Sequence, residues 1–274
     1  LFWTGVTSLA SLATGHKGGF MSIGRILNTA FGAIFGNLFV MLSIAFVFAG
    51  IPRGLVTFVQ QSALPRIGAG QASPGTFLWI IVAGVVVTML FAVVSQGALV
   101  RATMTASQGE KARFGECLAA AFQRLLPLIG LALVSGIAFV FAVILLVVPA
   151  IILATIWYVA APLVVAERNG VFAALVRSAE LTKGERWNIF VVLLITLGFF
   201  LLVFMLSSVV SGIGIAISAR SGDFTGLAWL TAIANAISAT LQTVLTSAIS
   251  TAAYIELRGL KEGPESQGLD AIFA

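Results

Sequence analysis

Histidine and cysteine are all but missing from this chain, with one of each in 274 residues. His16 alone cannot build a metal cluster or activate a serine, and no HExxH or GxGD string occurs. Hydrolysis usually relies on a metal or a paired acid and base, so the residues for it are lacking. The lone Cys117 excludes an intrachain disulfide. No GxxxxGK(S/T) phosphate loop is present, and Gly212-Ile213-Gly214 is an isolated GxG better read as a span terminus. Charge is scarce too: 9% of residues are Asp, Glu, Lys or Arg, against about a quarter in a soluble domain. These shortages point away from an enzyme, and neither a cofactor nor a metal is expected.

What the chain has instead is apolar length. Hydrophobic residues make up 59% of it and the mean hydropathy is +1.10. Leu125 to Ala166 runs for 42 residues without a charged side chain, interrupted near its middle by Val147-Val148-Pro149. One crossing of a roughly 30 Å hydrocarbon layer takes about 20 residues, so this run is two spans with a turn at Pro149. The same reasoning places spans at about 30–51, 77–100, 127–148, 150–166, 187–210 and 227–255. A Gly, Pro, Ser and Gln-rich loop is expected from Pro52 to Gly75, a Gly and Ser-containing loop holds Arg220 and Asp223, and a polar tail covers 259–274. The expected fold is all-α: a polytopic transmembrane bundle of six spans forming one membrane domain over 21–258.

Residues 1–20 lack the basic region and cleavage site of a signal peptide. Lys17-Gly18-Gly19 before Met21 is what a translated ribosome-binding sequence would encode, so the leader is expected to be non-functional, with translation beginning at Met21.

Three amphipathic segments precede spans. Ile23, Ile26, Leu27, Ala30, Phe31 and Ile34 share a helical face, as do Phe114, Cys117, Leu118, Ala121, Phe122 and Leu125. In the third, Phe172, Leu175, Val176 and Ala179 oppose Arg177, Glu180 and Lys183, and Gly184 is expected to end the helix. All three are expected to lie in the cytoplasmic interface. Lys and Arg at 17, 25, 101, 111, 113, 124, 168, 177, 183, 186, 258 and 261 then fall on one side, with only Arg53, Arg66 and Arg220 on the other. That 12 to 3 division puts both termini in the cytoplasm, and five or seven spans would break it. The net charge of +5 is thus explained by orientation and anionic headgroups, and nucleic acid is not an expected partner.

Gly24, Leu27, Ala30 and Phe31 recur 91 positions later as Gly115, Leu118, Ala121 and Phe122. The chain therefore reads either as three units, each an interfacial helix plus a two-span hairpin, or as a chance match between apolar helices.

Two polar constellations are candidates for function. On the six-span reading no ionisable residue lies inside a span, since Arg53, Arg101, Glu167 and Glu256 fall at ends, which disfavours proton-coupled pumping. The last span carries a stripe of Asn235, Ser238, Gln242 and Thr246, either a polar path or a packing seam. Packing is preferred, because the neighbouring row Ala239, Thr243, Ser247 and Thr251 has small residues every fourth position, as Gly32 and Gly36 do in the first helix. The segment from Arg177 to Trp187 is the densest polar cluster; Arg177, Ser178, Lys183 and Arg186 could dock a protein partner or bind lipid phosphate. Its plainer reading, a solvated face with local Arg177 to Glu180 pairing, is preferred.

Pro149, Pro162, Glu167, Asn169-Gly170, Arg177-Ser178, Leu181-Thr182-Lys183-Gly184 and Trp187, with Tyr254-Ile255-Glu256-Leu257-Arg258 and Lys261-Glu262-Gly263 near the end, make a further pattern. It resembles the bacterial glycerophosphoryl diester phosphodiesterase membrane-domain family over most of the chain from Met21. The resemblance implies a stand-alone multi-pass protein of the bacterial inner membrane. Some members carry a fused phosphodiesterase domain; nothing here is similar to it, so no catalytic residue transfers. The expected role is a non-catalytic accessory or scaffolding module in a membrane or lipid-related process, with the lipid bilayer and a membrane or cytoplasmic protein as partners. The alternative is a permease for a lipid or small amphiphile.

Overall fold

A computed structural model describes residues 21–68, 73–221 and 224–262. The leader, the tail beyond Glu262 and Asp223 lie outside the described residues. Among those described, every regular element is helical. In chain order they are α1 (Ile23–Gly36), α2 (Leu38–Ala45), a π-helical turn (Phe46–Gly50), α3 (Ile51–Gly68), α4 (Pro74–Ser107), α5 (Phe114–Gln123), α6 (Leu125–Leu145), α7 (Val147–Ile156), α8 (Ala160–Ala166), α9 (Val171–Thr182), α10 (Arg186–Ser221) and α11 (Phe224–Glu262). Six stretches are long and apolar enough to cross a membrane: Leu38–Ala63, Gly75–Ser107, Leu125–Leu145, Val147–Ala166, Arg186–Ser218 and Gly226–Glu262. This is an all-α, six-span membrane protein.

The first span is displaced from its expected position. Asn37, at φ −132° and ψ 33°, breaks the helix between α1 and α2, so the crossing starts at Leu38 and not near residue 30. It also continues through Pro52, where a loop to Gly75 was expected. A proline ring inside an α-helix collides with the carbonyl four residues back. Here the π-helical turn just before it, in which the Ile51 N–H reaches the Phe46 carbonyl, widens the helix and lets α3 follow. Arg53 consequently stands within a helix of span length rather than at its end, with its side exposed. The expected loop holding Arg220 is helical as well, since α10 runs to Ser221. The last span extends into the expected tail, as α11 continues to Glu262.

The middle hairpin matches its expectation closely. Leu146 alone, extended at φ −178° and ψ 153°, separates α6 from α7, and Pro149 sits in the first turn of α7 where a missing N–H is harmless. The returning span is broken at Trp157–Val159, three to five residues before Pro162. Pro162 has no N–H to offer the carbonyl of residue 158, and its ring crowds that position. The Ala160 N–H turns to the Trp157 carbonyl at 3.1 Å, and the Ile156 carbonyl is left for another donor.

α11 is the organising helix, packed against α1, α3, α4 and α10. Its approach to α3 is close because Gly50 and Gly54 have no side chain: a Cβ at Gly50 would lie 2.9 Å from the Ala236 carbonyl oxygen, and one at Gly54 3.0 Å from that of Ala232. The small-residue pair expected to serve packing, Gly32 and Gly36, faces open space. Side chains that are essentially fully buried, among them Ile26, Leu99, Leu163, Leu181, Ile249 and Leu257, gather toward the end holding α1, α5 and α9. Exposed apolar side chains such as Val140, Phe141, Ile144, Phe204 and Met205 provide the surface a lipid-facing bundle needs.

The three amphipathic helices exist as α1, α5 and α9, and the first two repeat in burial as well as in sequence. Gly24 and Gly115 are exposed, Leu27 and Leu118 half-buried, Ala30 and Ala121 fully buried, and Phe31 and Phe122 exposed.

Candidate functional site

At the end of the bundle where α1, α5 and α9 lie, four carboxylates, Glu167, Glu185, Glu256 and Glu262, hold elements together. Glu256 of α11 pairs with Arg25 of α1 at 2.6 Å. Glu185 accepts the Met21 backbone N–H at 3.2 Å. Arg177 of α9 is bound by Glu167 and Glu180, both at 3.6 Å, and by Glu262 of α11. Glu262 also takes Arg258 at 2.8 Å, one helical turn back. Lys261 reaches the Glu180 and Lys183 carbonyls at 2.9 and 2.7 Å, satisfying the free end of α9. Beyond it, Gly184 at φ +94° makes the left-handed turn into α10, as expected.

This bonding reassigns the expected docking cluster. Ser178 is fully buried and donates to the Ile156 carbonyl at 2.7 Å, the acceptor released where the Ala160 N–H turns to Trp157. Arg177 is a structural clamp between α9, α11 and Glu167. Lys183 and Arg186 are exposed, but the pair alone makes no pocket.

The cavity lies elsewhere. A space of about 1140 Å³ is lined by Arg101, Met104, Ser107 and Gln108 of α4 and the residue after it, by Glu116, Ala119, Ala120, Gln123 and Arg124 of α5 and its end, by Arg168, and by Tyr254, Ile255 and Arg258 of α11. The spacings are helical: 101, 104 and 108 on α4, 116, 120 and 123 on α5, and 254 and 258 on α11 each present one face. α5 can lie flat against α4 because Gly97 has no side chain; a Cβ there would meet Leu128 at 2.8 Å and Ala121 at 3.2 Å. That contact buries Cys117 and turns the 116 to 124 face into the cavity. Burial pushes the Cys117 thiol above its ordinary value, with Arg101 opposing and Glu116 adding to the shift.

Arg168 is the one non-glycine residue with positive φ among the described residues, at 55°. The left-handed backbone sends neighbouring side chains apart: Glu167 accepts from Tyr254 at 3.1 Å, while Arg168 lines the cavity. Such a conformation costs about 1–2 kcal/mol and persists only where the surroundings impose it. The cavity thus has four arginines and one glutamate, and that glutamate pairs with Arg113 at 3.2 Å. Arg101, Arg124 and Arg168 have no ion pair among the described residues.

A second cavity of about 620 Å³ lies between α4, α6, α7 and α8, bounded by Val93, Gln96, Leu131, Phe139, Leu153 and Trp157 among others. The polar stripe of α11 lines neither cavity. Asn235 donates to the Thr231 carbonyl at 2.9 Å, Ser238 bonds Ser207 of α10, Gln242 is half-buried and Thr246 exposed. Ser247 and Thr251 of the neighbouring row are buried, and the Thr251 hydroxyl donates to the Ser247 backbone carbonyl at 2.7 Å. The stripe joins α11 to α10 through the pair of serines, in keeping with packing.

Sequence reasoning placed Arg101, Arg124, Arg168 and Arg258 as markers of orientation and missed that they converge. The available signal was that three of them end spans in different hairpins. Compared with known protein families, curated proteins and solved structures, the chain matches none.

Proposed function

We propose that this is a non-catalytic accessory module of the bacterial inner membrane that holds an anionic ligand or partner at its cytoplasmic face in a lipid-related process. The observation that carries this reading is the arginine cavity, in which three guanidinium groups have no carboxylate partner among the described residues while the lining Glu116 pairs with Arg113. The cytoplasmic placement rests on the charge division of the chain, which a green fluorescent protein fused after Glu262 tests: fluorescence is expected, and its absence with a folded membrane protein would invert the topology.

We further propose kinship with the glycerophosphoryl diester phosphodiesterase membrane-domain family. It is supported by the use of the resembling residues at structural joints: Pro162 breaks a span, Ser178 caps the break, and Glu167 and Arg177 tie α9 to α11.

The permease alternative draws on the second cavity, which reaches the exposed side of α6 at Phe139 and Val140. Proteoliposomes separate the two. A fluorescent short-chain lipid should cross no faster with the purified protein than without it; accelerated exchange would replace the accessory reading with the permease.

A further inference from the structure

The two cavities are stacked along the same three walls. On α4, Gln96 of the apolar cavity precedes Arg101 of the basic one by five residues. On the α5–α6 wall, Leu128 follows Arg124 by four, and on α8, Ala161 precedes Val165 by four. Each offset is about one helical turn, or roughly 6–8 Å along the bundle axis. A group of cationic side chains therefore sits toward the polar end of the bundle, one turn from an apolar slot that opens sideways at Phe139 and Val140.

We infer that the two cavities form one site for an anionic phospholipid of the surrounding leaflet, its phosphate among Arg101, Arg124 and Arg168 and an acyl chain in the slot beside Trp157. This rests on the reading above that the basic cavity is a ligand site, and it names the ligand class. Guanidinium groups suit phosphate because their planar N–H pairs match its oxygens. The adjoining apolar slot selects a lipid over a soluble phosphate. Gln96, half-buried at the junction, places an amide where the ester region of such a lipid would lie. The polar-end residues already tied into ion pairs, Arg25 and Arg177, stay outside the site and keep its walls in place.

Trp157 supplies the test. In the full chain, Trp3, Trp79, Trp187 and Trp229 are changed to Phe, leaving Trp157 as the one emitter, and the protein is placed in mixed micelles. Phosphatidylglycerol with brominated acyl chains is titrated against brominated phosphatidylcholine, since bromine quenches indole fluorescence on contact. The anionic lipid should quench at least about tenfold more effectively. Each basic residue near an anionic headgroup contributes about a factor of five, so Arg101→Gln with Arg124→Gln should weaken that quenching about thirty-fold. Arg186→Gln, outside the cavity, should leave it unchanged. Equal quenching by both lipids would overturn the inference, as would anionic quenching that survives the double substitution. Displacement of the lipid by 10 mM inorganic phosphate would also overturn it, by showing that the arginines take the free anion. Any of these results leaves the proteoliposome comparison intact, so failure here is distinguishable from failure of the accessory reading.

Discussion

Ser178→Ala should destabilise the protein far more than a serine at a polar surface helix would. The Ile156 carbonyl has lost its usual donor because Pro162 breaks the span, and Ser178 provides the replacement at 2.7 Å from a fully buried position. Removing the hydroxyl deletes that bond and leaves a half-buried carbonyl unsatisfied, which costs about 1–3 kcal/mol. The middle of that range is about thirty-fold in the folded-to-unfolded ratio. Unfolding in detergent micelles, followed by tryptophan fluorescence against increasing denaturant, gives the difference. The stronger test is a double-mutant cycle. Pro162→Ala restores an N–H at position 162 and removes the ring, so the helix can close through Trp157–Val159 and return a donor to Ile156. In that background Ser178→Ala should cost at most about half as much. If the two losses simply add, the proline-to-serine reasoning is refuted.

Gly54→Val should separate α3 from α11 and cost about 1–3 kcal/mol, because its Cβ would press on the Ala232 carbonyl at 3.0 Å, whereas Gly32→Ala and Gly36→Ala meet nothing and should be neutral or stabilising by up to about 1 kcal/mol. The same unfolding titrations check both. Ser95→Ala should stabilise by about 1 kcal/mol, since its hydroxyl is buried without a partner among the described residues; loss of stability would mean that a water or lipid satisfies it. Cys117, with its thiol pushed up by burial, should react with maleimide at least about tenfold more slowly in the folded protein than after SDS denaturation. Because the fold favours the neutral thiol, its contribution to stability is complete below about pH 8.5 and declines as pH rises through the folded value. Cys117→Ala should remove that alkaline component from the pH profile of the denaturation midpoint.

Composition and spacing alone determined that this chain is an all-α membrane protein of six spans, that three amphipathic helices precede its hairpins, and where Pro149 and Gly184 turn the chain. These are local consequences: apolar length, a period of 3.6 residues and the geometry of proline and glycine act within one turn or one span. Helix continuation through Pro52 and at Arg220 was illegible, because it depends on a π-helical turn and on stretches whose polarity imitates a loop. The site was decided by tertiary structure only. Arg177 and Ser178 read from sequence as part of a solvated helix face with local Arg177 to Glu180 pairing, yet Glu262 and the Ile156 carbonyl also bind them and tie that face into the fold. Arg101, Arg124 and Arg168 looked like separate marks of orientation until the close contact at Gly97 and the left-handed backbone at Arg168 brought them around one space. Local pairs such as Arg177 with Glu180 follow from helical spacing, but the bonds of Arg177 to Glu262 and of Arg25 to Glu256 join residues more than 80 positions apart, and no local pattern encodes those.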